Sequence, residues 1–207
     1  MRRILLVVLF LLLLCSMNLP AENVKALFLL ANNYGANYNL IRDKIEQYGW
    51  EITLTAVTDS VFPCQAFASA FGAPVIEVDT LLYEITNIDN FDCLLIISSY
   101  AGANPYNEIL NDSTALSIIS EAVQESLAVA AWCSGVRVLA AADVLNGKNI
   151  TGHPNFISEY TAAGAIYLGP NLYPVIDGNI VTCTRGQYFV IQSCESIAEL
   201  IEEFRMN

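Results

Sequence analysis

Apolar and polar positions alternate along the chain in two periods. Residues 24–30 (VKALFLL), 91–97 (FDCLLII) and 127–131 (LAVAA) are short, nearly unbroken apolar runs. Such runs predict strands buried on both faces, the habit of parallel sheets. Residues 39–48 (NLIRDKIEQY) place Leu40, Ile41 and Ile45 at helical spacing, with Gly49 as the stop. Residues 51–56 (EITLTA) alternate as a second strand. Strand, helix and strand in that order predict a parallel β-α-β unit.

Further along, 59–72 reads as a loop with a short helical turn, 74–78 as a strand and 80–85 as a connection. A helix is predicted over 113–126, with Leu116, Ile119, Ala122 and Val123 on one face. A second helix, rich in small residues, is predicted over 134–142. Short strands at 148–151 and 173–176 lead to Asp177-Gly178, a hairpin signal, and a return strand over 179–184. Residues 188–204 form a closing helix. The pattern implies one doubly wound, flavodoxin-like α/β domain. It is a three-layer sandwich with a mostly parallel sheet and a hairpin insertion.

The first 21 residues have a different pattern. Arg2 and Arg3 precede an unbroken apolar run over 4–14, and Ala21 supplies a small residue at a cleavage point. That is the layout of a secretory signal peptide. It divides the chain into a leader, 1–21, and a domain, 22–207, and it implies a secreted or extracytoplasmic protein. The run is shorter than the roughly 20 apolar residues of a full span. The alternative is an uncleaved N-terminal anchor; after cleavage no stable span is expected.

Composition narrows the function. Of 207 residues, 55% are hydrophobic, which excludes disorder. The net charge of −12 disfavours nucleic acid and anionic lipid as partners. Of six cysteines, Cys15 falls in the leader. The other five are an odd number, so at least one stays unpaired in an oxidising compartment. Cys93 reads as core; Cys64, Cys183 and Cys194 leave one disulfide open. With no CxxC pair and one histidine, no metal site and no cofactor are expected.

Candidate chemistry centres on Ala131-Trp132-Cys133-Ser134-Gly135, between a predicted strand and a predicted helix. Small residues two places either side of a central nucleophile suit a sharp elbow, where strand and helix approach closely. The elbow presents Cys133 at the carboxyl edge of the sheet, at a helix start that favours a thiolate. His153, the sole histidine, follows the strand at 148–151 in Thr151-Gly152-His153-Pro154. Thiol and imidazole together form an activated pair. Tyr34 and Tyr100 sit in loops at the same expected edge. Arg185 ends a strand there, where it suits either an anionic group or an ion pair.

The stretch AWCSGVRVLAAADVLNGKNITGHP resembles the core of the DJ-1/PfpI family, in the class I glutamine amidotransferase-like superfamily. That family has a cysteine elbow, an Ala-rich helix and a histidine about twenty residues later; Cys133 and His153 stand at that spacing. VKALFLLAN, NIDNFDCLLIISSYAG and DGNIVTCTRGQ resemble other family segments. The resemblance implies a cysteine-dependent hydrolase or lyase of peptidase, glyoxalase or deglycase type, on a small-molecule or peptide substrate, and a homodimer. Its alternative is a non-catalytic binding or redox-responsive protein. It makes Cys133 and His153 catalytic and gives the oxyanion to the backbone of Ser99 and Ser134. Asn33, Tyr34, Tyr100, Trp132 and Arg185 would line the pocket. The chain departs from the family after the first strand. Where members carry a glutamate, residues 32–38 (NNYGANY) hold no acid, and Asn33 or Asn37 is left as a donor. Ser98-Ser99 replace the family's Gly-Gly, and no later His-x-Glu completes an amidotransferase triad.

Overall fold

The computed structural model describes residues 23–100, 106–170, 173–184 and 189–206. A seven-stranded sheet runs through the centre. Its strands are β1 (Lys25–Leu29), β2 (Glu51–Ala56), β5 (Thr80–Leu81), β6 (Cys93–Ile96), β7 (Ala128–Trp132), β10 (Val175–Asp177) and β11 (Ile180–Cys183). The spatial order is β10-β11-β7-β6-β1-β2-β5. Every pairing is parallel except the β10–β11 hairpin. The order reverses between β1 and β6, the position where doubly wound sheets open a crevice at their carboxyl ends.

Side chains alternate across the sheet. Ala26, Phe28 and Leu30 of the first strand region face one layer, with Ala128, Ala130 and Trp132. Leu27, Leu29 and Ala31 face the other, with Val129 and Ala131. All of these are essentially inaccessible to solvent. Burial on both faces explains why the runs are continuously apolar instead of alternating. Helices α1 (Asn37–Gln47) and α7 (Val190–Met206) cover the first face. The second is covered by α3 (Asn107–Leu110), α4 (Ser113–Gln124), α5 (Val136–Ala141) and α6 (Ile157–Ala162). The three layers expected from the pattern are present.

The segment 59–81 is more structured than expected. Helix α2 (Gln65–Phe71) is flanked by β3 (Ser60–Val61) and β4 (Ile76–Glu77), which pair antiparallel outside the main sheet. Thr80–Leu81, expected as a connection, is an edge strand of the main sheet. Asp79 fixes it there by accepting the Leu54 N–H at 2.7 Å. The buried stripe of α4 is Ala115, Ile118, Ile119 and Ala122. Leu116 and Val123, expected on that face, are only its partly buried flanks. The strand β8 (Asn149–Ile150) pairs with β9 (Ile166–Tyr167) in a small parallel ribbon, and α6 connects them.

Candidate functional site

Strand β7 ends in a turn that no ordinary strand end requires. Cys133 has φ 57°, in the left-handed region that side chains with a Cβ avoid. A single 3-10 turn over Cys133–Gly135 then leads into α5. Gly135 is required here. A Cβ at that position would lie 3.0 Å from the Ile96 carbonyl and 3.1 Å from the Tyr106 hydroxyl. The strand-to-helix elbow expected around Cys133 is therefore formed, with the strain that exposes its central side chain.

Hydrogen bonds lock the elbow to its neighbours. The Ser134 hydroxyl donates to the Ser99 carbonyl at 2.7 Å, and the Ser99 hydroxyl donates to the Asn32 carbonyl at 2.6 Å. Beneath them Tyr106 is buried and donates to the Ile97 carbonyl. Its phenol also meets the Ser99 backbone and the Ser134 side chain; burial first, then the nearby Cys133, holds its pKa well above the usual value. Pairing between β6 and β7 ends at Ile96–Ala131, two residues before the elbow cysteine.

His153 reaches the same place from β8. Its backbone N–H donates to the Cys133 carbonyl at 3.2 Å, and the Tyr160 hydroxyl approaches that carbonyl at 3.5 Å. Gly152 makes room for this, since a Cβ there would lie 3.0 Å from the Tyr160 hydroxyl. On the ring, Nδ1 accepts the Asn155 N–H at 3.2 Å. A neutral imidazole with Nδ1 as acceptor carries its proton on Nε2. The ring packs on Phe156 with centroids 5.4 Å apart, and Arg137 lies 4.4 Å over the other aromatic centroid. Arg137, from the elbow helix, also makes a bidentate pair with Glu159 at 2.7 and 2.9 Å. The elbow helix thus fixes the histidine segment.

The remaining expected site residues divide. Asn33, at φ 64°, joins three loops through its backbone. Its N–H donates to the Phe62 carbonyl at 2.8 Å, and its carbonyl accepts the Tyr100 N–H at 2.7 Å. Tyr100 is 74% exposed, at the rim. Trp132 and Tyr34 were expected to line the pocket, and both are core instead. Trp132 is the strand residue before the elbow, so alternation turns it under α7, where its indole N–H donates to Ser193 at 3.0 Å. Tyr34 is 1% exposed, packs edge-on against Tyr38 and Phe67, and donates to the Pro74 carbonyl. Arg185 lies outside the described residues, as do Cys15 and the leader.

Sequence reasoning missed one carboxylate. Glu108, on α3, accepts the Asn32 N–H at 2.8 Å. An acid therefore reaches the loop after β1 from the other helical layer, although residues 32–38 hold none. Nothing local marks Glu108, because the contact spans 76 residues.

Cys64, Cys93, Cys133, Cys183 and Cys194 are all free thiols, so the disulfide left open by the sequence is not formed. Cys133 alone among these five is more than marginally exposed. Burial raises the pKa of Cys93 and Cys183, and pushes Cys194 up to about 12. Among the described residues no group of three or more His, Cys, Asp or Glu is placed to hold a metal ion.

The model of the DJ-1/PfpI family matches residues 24–197. This chain belongs to the DJ-1/PfpI family. Over 161 residues it is 29% identical to a deglycase of Pyrococcus horikoshii, covering 77% of this chain and 89% of that protein. It is 30% identical over 115 residues to an uncharacterised protein of Methanocaldococcus jannaschii. That match covers 55% of this chain and 53% of the relative, so it spans about half the relative's length. Drosophila melanogaster DJ-1beta superposes with a TM-score of 0.69 at 22% identity, covering 88% of this chain and 95% of that one. The superposition establishes the shared fold.

Proposed function

We propose that this DJ-1/PfpI protein is a cysteine-dependent hydrolase or lyase of small carbonyl compounds, of deglycase type, with Cys133 as nucleophile. One observation carries the reading: a partly exposed thiol on a strained elbow, with the sole histidine bonded to the elbow's own carbonyl. The deglycase relative of Pyrococcus horikoshii supports the reaction class. In this scheme Cys133 first loses its proton to water. The thiolate adds to the carbonyl carbon, forming a C–S bond, and the π pair moves to oxygen. The Ser134 backbone N–H holds that oxyanion. The Ser99 backbone N–H shares that role. His153, with its proton on Nε2, donates a hydrogen bond to that oxygen, and water returns the proton that Cys133 released to the oxygen or the leaving group. The test is turnover of a small 1,2-dicarbonyl by the purified protein. Loss of carbonyl absorbance that Cys133→Ser abolishes supports the reading; equal loss with both proteins refutes it.

Export belongs to the same proposal. Residues 1–21 direct the chain out of the reducing cytosol, and Cys133 works there as a free thiol. N-terminal sequencing of the mature protein should begin at Glu22; a retained Met1 favours the membrane-anchored alternative. Among the described residues no helix is long and apolar enough to cross a membrane. The family resemblance also makes a homodimer the assembly to test, by native mass.

The redox-responsive reading has an observation of its own. Cys133 is the accessible thiol among otherwise buried ones, so peroxide should oxidise it first, to the sulfenic state. A peroxide-dependent mass shift lost in Cys133→Ser, in a protein without dicarbonyl turnover, would favour this second reading.

A further inference from the structure

Tyr106 precedes α3 and is 1% exposed. Its backbone is left-handed, at φ 64°, a conformation disfavoured for a residue with a Cβ. The side chain packs in the cluster that holds Ile96, Ala131 and Val136. Its hydroxyl ends where β6 and the elbow meet. A phenol has one proton to give, and Tyr106 gives it to the Ile97 carbonyl. A carbonyl can only accept, so the direction of that bond is fixed. Ile97 lies one position past Ile96, the last paired residue of β6 on both sides. Its carbonyl therefore falls outside the ladder, and the phenol satisfies it.

The same oxygen touches the other half of the site. A Cβ on Gly135 would lie 3.1 Å from it, so phenol and turn are in direct contact. It also meets the Ser99 backbone and the Ser134 side chain. Ser99 and Ser134 are tied in turn, by the bond from the Ser134 hydroxyl to the Ser99 carbonyl at 2.7 Å. One phenol oxygen thus lies against two chain segments, 97–99 and 134–135. Those segments carry the two backbone N–H groups assigned to the oxyanion. Burial, and then Cys133, holds the phenol's pKa well above its usual value, so the hydroxyl keeps its proton while a thiolate forms nearby.

We propose that Tyr106 is a positioning residue for the oxyanion site: its hydroxyl pins the end of β6 to the elbow and so sets the spacing between the Ser99 and Ser134 N–H groups. It acts through those groups and touches no substrate. The role rests on the reading of Cys133 as the nucleophile of a carbonyl addition. Oxyanion donors work by being preset, so a small loss of their spacing costs rate and not substrate binding.

The test is Tyr106→Phe, which keeps the ring and removes the one hydroxyl. Turnover of a small 1,2-dicarbonyl should lose about tenfold or more in kcat, with KM within about twofold of wild type. Iodoacetamide alkylation of Cys133 develops no oxyanion, so its rate and pH midpoint should stay at the wild-type values. A general loosening of the elbow would move alkylation as well. An unchanged kcat, or alkylation that falls along with turnover, removes the positioning role alone. A wild type that turns over no dicarbonyl removes the reaction, and the positioning role falls with it. The wild-type protein also supplies a measurement that decides if the variant does not fold. Its Tyr106 hydroxyl proton should exchange slowly with water and show nuclear Overhauser contacts to the Gly135 α protons; a freely exchanging hydroxyl overturns the proposal.

Discussion

The backbone N–H of His153 donates to the carbonyl of Cys133 at 3.2 Å. Twenty positions apart in sequence, the two residues are one hydrogen bond apart in space. The bond is made by main chain, so it holds whatever the imidazole does. It also satisfies a carbonyl that the elbow's left-handed turn takes out of the strand ladder.

The strain at Cys133 is measurable. A left-handed backbone costs a residue with a Cβ about 1–2 kcal/mol relative to glycine. Cys133→Gly should therefore be more stable than Cys133→Ala by about 1 kcal/mol, read from urea midpoints. Equal midpoints would mean the turn is unstrained.

Gly135 is held by contact, at a negative φ. Gly135→Ala sets a methyl 3.0 Å from the Ile96 carbonyl, which is backbone in a central strand and has little room to give. The expected loss is about 1–3 kcal/mol, the usual cost of overpacking. Cys133 alkylation should change too, since the elbow must shift.

Glu159→Gln tests the tie between the elbow helix and the histidine segment. The Arg137 side chain is 8% exposed and that of Glu159 41%, so the guanidinium has far less water to fall back on. Removing the carboxylate charge should cost about 1–3 kcal/mol, more than a surface pair and less than a fully buried one. Urea unfolding measures this; a change within the scatter of surface substitutions would show the pair to be idle.

Asp177 gives a pH signature. The Asn149 backbone N–H, and then Lys148 and the Asn149 side chain, lower its pKa below 3.8. A carboxylate lowered on folding stabilises above its unfolded value and loses that contribution as pH falls through the folded one. Asp177→Asn should therefore destabilise the protein at neutral pH by about 1 kcal/mol. The difference should shrink below pH 3.8 and vanish in stronger acid. A difference independent of pH would contradict the charge-based account.

Much of this architecture can be read from the chain because β1, β6 and β7 are buried on both faces, which writes them as unbroken apolar runs. The elbow is legible for a local reason: Ala131 and Gly135 are small where the turn demands it. Other features depend on distant partners. Thr80–Leu81 becomes a strand only by pairing with β2. The α4 stripe is displaced toward Ala115 and Ile118 because the layer beneath it, not local periodicity, sets which flank is covered. Trp132 reads as a pocket wall beside the nucleophile, yet strand alternation sends it into the core. Glu108 is invisible because its partner lies 76 residues away.

Alkylation of the native protein tests the central claim most directly. Iodoacetamide at neutral pH, followed by peptide mapping, should label Cys133 and leave Cys64, Cys93, Cys183 and Cys194 unmodified until the protein unfolds. The mapping also separates Cys133 from Cys15. Labelling of Cys133 that slows in acid and leaves the fold intact is the predicted result. A native protein whose Cys133 stays unlabelled, or labels no faster than the buried thiols, would contradict a nucleophile at the elbow.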